Sequence, residues 1–588
     1  MYNIEYVCGL GYGDEGKGRI AAYVATKYDT DDTISVLCSG SSQRGHTMVD
    51  ENGVRHVFHH FGCATMYGYP NYIDKRFYAN PMMFRMEWEE LESNGITPVV
   101  YLNKNSHLVL PYHILADQCY VETRRVSDDV VDSSCGCGVW QAAYYDEFND
   151  NQYGTFIETL MNRAKFDICV KYFRNLERFV DVMVRDTDGN VDSEIINKYW
   201  ELINNDNIWE NYWEDLNFML EHCTLVDTID DVKDAGYNNY IIELSQGLLL
   251  DKVYAEDSHT TTCSTAPSAY QEFVGNFGRS NCNVFLNFVT RWYLTRHGYN
   301  VDAHSETMNH SFEALGINRD NVNETNVYNE WQGNFNYGFL SLSKIYHLVE
   351  SECNSFNCPV KVRTFITCFD QVTNQVYLHK DVNPYDDDVE ECYCCMPYEF
   401  LQKFAKSVKG AVGRSTVPIY YVCCGEQPEN IIRLRKDMIS DLRMYNSENH
   451  TATGVACNAN NEVTYVSDAI AYAYAPITAR YNVTTGTVAA DNVNTLNCST
   501  ADDSMAIGGA GNISVNTSNA LTEKKEETQE VRDKKLTKYQ KASHKVLYYM
   551  LMDSKYINLY KNTLGYFKER IERVKKYDTR YVEMIKDN

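Results

Sequence analysis

Proline is scarce in this chain, with 11 among 588 residues, and no run of about 18 apolar residues occurs. The lack of such a run predicts no membrane-spanning helix. The opening Met1-Tyr2-Asn3-Ile4-Glu5-Tyr6-Val7 also lacks the basic start and apolar stretch of an export signal. Positive charge is undersupplied: 54 Lys and Arg face 81 Asp and Glu, a formal charge of −27. Such a surface cannot neutralise a phosphate backbone, which excludes a general nucleic-acid binder. An anionic ligand is left to a local pocket built from a few donors. Twenty cysteines without an export signal read as reduced cytoplasmic thiols, not as a disulfide framework. Cys135 with Cys137, and Cys392 with Cys394 and Cys395, lie close in sequence without the spacing of a zinc site.

What is present is an ordinary globular balance, 44% apolar and 23% charged, which argues against wholesale disorder. Tyrosine is abundant, at 46 residues. The charge divides unevenly, with residues 521–588 carrying a net +6 and the rest of the chain −33. Between Thr451 and Ala520 there is no lysine, and Thr, Asn, Ala and Ser dominate. These shifts divide the chain into residues 1–440, an elaboration or linker over 441–520, and a basic helical tail over 521–588. In that tail Ile557, Tyr560, Leu564, Phe567, Ile571, Val574, Tyr581 and Ile585 recur at steps near 3.5 residues. The stripe suits a helix docked on its own core, or one that adds contacts between chains. Upstream, Glu5–Leu10, Thr33–Cys38, Pro98–Leu102, Tyr240–Glu243 and Val417–Val422 read as short strands separated by helical stretches. That alternation predicts an α/β fold with a large, mostly parallel central sheet flanked by helices.

The most informative stretch is Gly9-Leu10-Gly11-Tyr12-Gly13-Asp14-Glu15-Gly16-Lys17-Gly18-Arg19, where a strand runs through a glycine-rich turn into a helix. Backbone N–H groups in such a turn approach an anion closely, and the helix N-terminus adds partial positive charge. Gly11 to Lys17 fits the phosphate-loop spacing G-x-x-x-x-G-K, but Gly18 stands where Ser or Thr is usual. A phosphate loop without that hydroxyl needs another magnesium ligand, and Asp14 is the natural candidate. The alternative is a tight structural turn.

The stretch resembles the opening signature of the adenylosuccinate synthetase family, G-x-Q-W-G-D-E-G-K-G-K. Ser42-Gln43-Arg44-Gly45-His46-Thr47 resembles a second signature ending A-G-H-T. Further matches follow in family order. Leu110-Pro111-Tyr112-His113 is similar to L-P-Y-H, and Glu243-Leu244-Ser245-Gln246-Gly247-Leu248-Leu249-Leu250-Asp251 to E-G-A-Q-G-T-L-L-D. Tyr293-Leu294-Thr295-Arg296-His297-Gly298 is similar to Y-T-T-R-V-G, Thr367-Cys368-Phe369-Asp370 to T-K-L-D, and Val422-Cys423-Cys424-Gly425 to V-S-T-G. The resemblance runs over about residues 1–435.

It implies GTP-dependent phosphorylation of a purine O6, followed by amination of IMP or a related nucleotide. Asp14 would remove the N1 proton, and a cationic His46 would assist phosphoryl transfer. A turn histidine satisfied by backbone is the competing view of His46. Lys17 would complete the catalytic set while holding the phosphates, Glu15, Gly16, Gly18, Thr47 and Gly425 would bind GTP, and Asp370 would read guanine. Gln43, Ser134, Cys135, Gln246 and Thr261 would contact the substrate nucleotide, and Mg²⁺ would lie between Asp14 and the Gly45 carbonyl. The family default is a homodimer.

The departures are specific. Ser134-Cys135 stands for the family's phosphate-binding Thr-Thr, and no arginine occurs from Val139 to Phe156. Where the family carries T-T-G-R-x-R for aspartate, the chain has Glu330-Trp331-Gln332-Gly333-Asn334-Phe335-Asn336. A carboxylate in place of arginines repels a dicarboxylate, so the amine donor is either aspartate or another amino acid. Two functions follow as expectations: an active purine-nucleotide ligase, or a non-catalytic nucleotide-binding scaffold that kept the fold.

Overall fold

Strand β1 (Tyr2–Gly9) is buried from Ile4 to Gly9, the uninterrupted burial of a strand covered on both faces. The strands that follow it are β2 (Thr33–Leu37), β3 (His46–Val49), β4 (Arg55–Phe58), β5 (Asn71–Ile73), β6 (Tyr78–Ala79), β7 (Val100–Asn103), β8 (His107–Leu108) and β9 (Thr224–Val226). Next come β10 (Asn239–Gly247), β11 (Cys282–Arg291), β12 (Leu294–His297), β13 (Phe335–Gly338) and β14 (Val360–Thr367). The last are β15 (Val376–His379), β16 (Cys392–Cys395), β17 (Ile419–Cys423) and β18 (Ile431–Leu434). The structure, a computed structural model, describes residues 1–127, 134–148, 155–184, 192–255, 260–297, 312–317, 331, 335–373, 375–379, 392–413, 416–427 and 430–434. The segment 441–520, the tail 521–588 with its apolar stripe, and Glu330 lie outside the described residues.

Ten strands form one sheet in the order β18-β17-β14-β11-β1-β10-β2-β5-β7-β9. Its neighbours run parallel throughout, except the antiparallel edge pair β17 and β18. The strands expected from sequence all fall on this sheet. Helix α1 (Lys17–Ala25) returns from β1 across one face, burying Ile20, Ala21, Val24 and Ala25 against Val7, Ile241, Val289 and Phe365. Helix α2 (Pro81–Ser93) is capped by Asn80, whose side chain accepts from the Met82 and Met83 amides. Between β8 and β9 lies a helical block that begins with α3 (Pro111–Ser127) and α4 (Val139–Phe148).

The core takes up part of the tyrosine surplus. Tyr6, Tyr112, Tyr212 and Tyr240 are fully buried, and each hydroxyl has a partner. Tyr6 donates to the Tyr270 carbonyl at 2.8 Å, Tyr212 to the Val109 carbonyl at 3.0 Å, and Tyr112 pairs with the Tyr145 hydroxyl at 2.7 Å. A phenol can therefore fill apolar volume here without leaving a buried polar group unmade. Among the described residues, no helix is long and apolar enough to cross a membrane.

A charge also sits inside β1. Glu5 is fully buried, and its carboxylate accepts from Arg363 at 2.6 and 2.8 Å, from Asn287 at 2.7 Å and from Tyr28 at 2.5 Å. Removing the cation strands that carboxylate, the expensive way to break a buried pair. Arg363→Ala is expected to lower unfolding free energy by about 3–5 kcal/mol, read from a denaturant midpoint. A shift under about 1 kcal/mol would show that Asn287 and Tyr28 suffice.

Candidate active site

The parallel strands β1, β2, β10, β11, β14 and β17 deliver their C-terminal ends to one edge of the sheet. The loops there carry residues 9–17, 38–46, 246–251, 291–295, 367–371 and 423–427, which include most of the motif positions. Ligands of open α/β sheets bind at this edge.

The glycine loop is closed from within. Glu15 Oε1 accepts from the Gly11 amide at 3.0 Å and the Gly13 amide at 2.9 Å, and Glu15 Oε2 accepts from Lys17 Nζ at 2.6 Å. Both charged side chains are buried. The carboxylate thus holds amides and an ammonium of the kind that a phosphate would recruit. Lys17 and Glu15, expected as GTP ligands, are here partners of each other. The loop is tied to its neighbours by Thr367, which donates to the Glu15 carbonyl at 2.7 Å, and by the Leu249 amide, which donates to the Gly11 carbonyl at 3.0 Å.

Two glycines explain the spacing. A Cβ on Gly18 would lie 2.6 Å from Cys63 Sγ and 3.0 Å from His46 Cβ, so the usual Ser or Thr has no room. A Cβ on Gly247 would meet the Gly11 carbonyl oxygen at 2.2 Å. Just before Gly247 the pairing of β1 with β10 shifts: Val7 faces Glu243, but Gly9 faces Gly247. This bulge puts Gln246 at φ 57 beside Gly13, with its Oε1 buried and without a hydrogen-bond partner. Asp14 also has a left-handed backbone, φ 63, strained for a non-glycine residue.

His46 opens β3 against the first turn of α1. Its Nδ1 lies 2.5 Å from Glu243 Oε1, and Arg44 donates to the same carboxylate oxygen at 2.6 Å. Burial, reinforced by the Arg44 charge, holds the His46 pKa down to about 3 despite the Glu243 contact. Burial alone would raise Glu243, but Arg44, His46 and the Cys63 amide outweigh it and hold the carboxyl at about 2. The ion pair is therefore Arg44 with Glu243, and the imidazole is neutral, donating Nδ1–H to the carboxylate. The cationic His46 expected for phosphoryl transfer is thus not the form held here by the protein alone. Arg44 occupies the alanine position of the A-G-H-T signature, and Glu243 opens the motif from which only Gln246 was expected to act.

His46, Cys63 and Glu243 lie close enough to suggest a metal site. The Arg44 guanidinium fills it, 2.6 Å from Glu243 and 2.9 Å from His46, so these residues do not fit a cation. Asp14 and the Gly45 carbonyl offer hard oxygen donors instead, and the Asp14 side chain is 26% exposed. That set fits Mg²⁺, whose remaining positions phosphates and water would complete.

The other expected residues are spread over several elements. Thr47, on β3, accepts from Arg55 at 3.3 Å. Asp370 lies in a short turn three residues after Thr367, and the Gly425 carbonyl accepts from Arg19 of α1, so both join the glycine-loop neighbourhood. Gln43 shares its turn with Arg44, and Gly16 caps α1 at φ 84. Ser134 and Cys135 stand before α4, where Ser134 donates to Asp117 of α3 at 2.7 and 2.8 Å. That hydroxyl is engaged by a carboxylate, a contact the sequence did not foretell. Thr261 is held by its amide on the Leu250 carbonyl at 2.8 Å.

A mostly parallel sheet covered on both faces, with a glycine-rich loop between its central strand and the first helix, defines an α/β protein. The sequence pattern of adenylosuccinate synthetase matches residues 6–321, more than half of the chain, and the chain belongs to that family. The adenylosuccinate synthetase of Parabacteroides distasonis is 29% identical over 151 residues, covering 25% of this chain and 34% of that protein. That of Pelodictyon phaeoclathratiforme is 28% identical over 214 residues, covering 32% and 46% respectively. The chain thus spans less than half the length of these curated relatives. A structure of fully ligated adenylosuccinate synthetase from Plasmodium falciparum superposes with a TM-score of 0.51 at 17% identity, over 74% of this chain and 99% of that one. At that identity the likeness is one of fold.

Acid sensitivity follows from the buried imidazoles. His46, His60 and His113 are each held to about 3 chiefly by burial, whereas an unfolded histidine titrates near 6.5. Between those values the unfolded chain binds more protons, so stability is complete above pH ~6.5 and is lost on acidification. Each group contributes up to about 1.4 kcal/mol per pH unit. His113→Asn, which keeps an acceptor for the Leu110 amide, is expected to remove about one proton from the pH dependence of the unfolding midpoint between pH 6 and 4. An unchanged slope would refute the assignment.

Proposed function

We propose that the chain is a GTP-dependent purine-nucleotide ligase. It phosphorylates O6 of IMP or a related (deoxy)purine nucleotide, and an amine then displaces the phosphate. The observation that supports this reading is that Asp14 and His46 each border the first turn of α1. Asp14 precedes that turn by two residues, and His46 packs on Gly18 within it. A helix end of the kind that receives anions would then have a carboxylate and an imidazole near it.

In this reading the Asp14 carboxylate takes the N1 proton, which moves electron density towards O6 for attack on the γ-phosphorus of GTP. Lys17, whose ammonium has further N–H donors beside the one given to Glu15, and the Gly16 and Gly18 amides orient the phosphates. Negative phosphates beside His46 would offset the burial and the Arg44 charge that keep it neutral, and so favour the imidazolium during transfer. The 6-phosphoryl group then leaves as phosphate when the amine attacks C6. Mg²⁺ held by Asp14 and the Gly45 carbonyl would neutralise charge on the phosphoryl oxygens. Asp370 favours guanine, whose N1–H and 2-amino group both donate to a carboxylate. The amine is aspartate or another amino acid, and the family homodimer is the default assembly.

The test is purified protein with GTP, Mg²⁺ and IMP or dGMP, together with a panel of amino acids. Phosphate release and nucleotide mass are followed. The expected product is the purine nucleotide joined to one amino acid. No phosphate release in any combination would reject the ligase and leave the non-catalytic scaffold. Asp14→Asn is expected to lower kcat about 100-fold or more. Asp370→Asn is expected to raise KM for GTP about 10-fold while leaving kcat near that of the wild type.

A further inference from the structure

The segment from Arg291 to His297 braces the Gly13–Asp14 turn with three side chains. Arg291 Nε donates to the Asp14 carbonyl at 2.7 Å, and Thr295 Oγ1 donates to the Gly13 carbonyl at 3.3 Å. His297 Nε2 lies 3.7 Å from Asp14 Oδ2. Thr295 and His297 are two apart on β12, so both point to the same side of the strand. Two of the braces fix the strained backbone of Asp14, and the third addresses its carboxylate.

His297 stands where the Y-T-T-R-V-G motif has valine. A valine there would only fill space. The imidazole lies against Phe335, its cross-strand neighbour, with ring centroids 4.7 Å apart. Its Nδ1 is buried and has no hydrogen-bond partner. Burying an unmade polar atom costs stability, so the ring is poorly explained as packing. Its other nitrogen is the one turned towards Asp14.

We propose that His297 is a positioning residue whose Nε2–H aims the Asp14 carboxylate for proton abstraction from the purine. The inference rests on the ligase reading. A separation of 3.7 Å is beyond a hydrogen bond, but catalytic contacts often run long without substrate and tighten when it binds. The role needs an N–H donor at this position, not a titrating group. The glutamine amide, which reaches about as far, should therefore replace it.

The test compares His297→Val and His297→Gln with the wild type in the ligase assay, with thermal melting alongside. The valine variant is expected to lose about 10-fold in kcat with KM for the purine nucleotide within about 2-fold, and the glutamine variant to recover most of the loss. Wild-type kcat in the valine variant overturns the inference, as does a loss confined to KM. Equal losses in both variants also overturn it, because they show that the donor is irrelevant. Where valine prevents folding, His297→Leu takes its place. If the wild type releases no phosphate, the ligase reading has failed on its own. A crystal structure of the wild type then decides the placement: His297 Nε2 within about 4 Å of the Asp14 carboxylate supports it, and a ring turned away overturns it.

Discussion

The Glu15 carboxylate, inside the glycine loop, is the contact on which the site depends. It gathers the Gly11 and Gly13 amides and the Lys17 ammonium about one buried negative charge. Without it, two backbone donors and a cation would be buried unpaired at a helix N-terminus, where positive potential already accumulates. With it, the loop has a defined shape. That shape sets the backbone of Asp14, and its outward carbonyls become handles for Thr295, Arg291 and Thr367. An internal carboxylate thus stabilises the electrostatics that the reaction would exploit.

The sheet supplies the second constraint. In the β1–β10 pairing a bulge is required, because Gly247 must lie against the Gly11 carbonyl while Glu243 stays level with Val7. The bulge bends Gln246 into a left-handed conformation and leaves Glu243 pointing towards α1, where it meets Arg44 and His46. One irregularity in one strand therefore serves both the loop and the imidazole. Arg44 changes what that imidazole is, since a permanent cation on the same carboxylate makes a second positive charge there unfavourable.

Much of this was legible in the sequence because it is local. The strand–glycine loop–helix pattern and the parallel strands follow from short-range spacing, and the structure bears them out. The partnerships were not legible, because they join residues far apart in sequence. Glu243 lies 199 residues from Arg44, and Arg291 lies 277 from Asp14. No periodicity records such pairs. Glu15 was assigned outward to a nucleotide, although its contacts turn inward over only two to four residues. The clue there was the mismatch itself, since an acid inside a phosphate loop must have its own donors. Likewise His297 and Arg44 were visible as departures from valine and alanine, and only the geometry gives each a neighbour.

The scarcity of proline and the surplus of acid meet in the loops. A chain with few prolines must restrain its turns by other means, and here buried carboxylates accept backbone amides at many of them. Glu87 takes the His59 and His60 amides, Asp117 that of Gly138, Asp251 those of Val253 and Thr265, and Glu352 that of Ser268. Each replaces a rigid ring with a hydrogen-bonded charge, which fixes a turn only while it is ionised or otherwise satisfied. Part of the −27 is therefore internal scaffolding and does not reach a ligand as repulsion. At the α1 N-terminus of so acidic a protein, Glu15 and Glu243 are paired with Lys17 and Arg44, which lowers the repulsion that an anion there would meet. At that turn Asp14, beside His297, is the acid whose charge the proposed reaction uses.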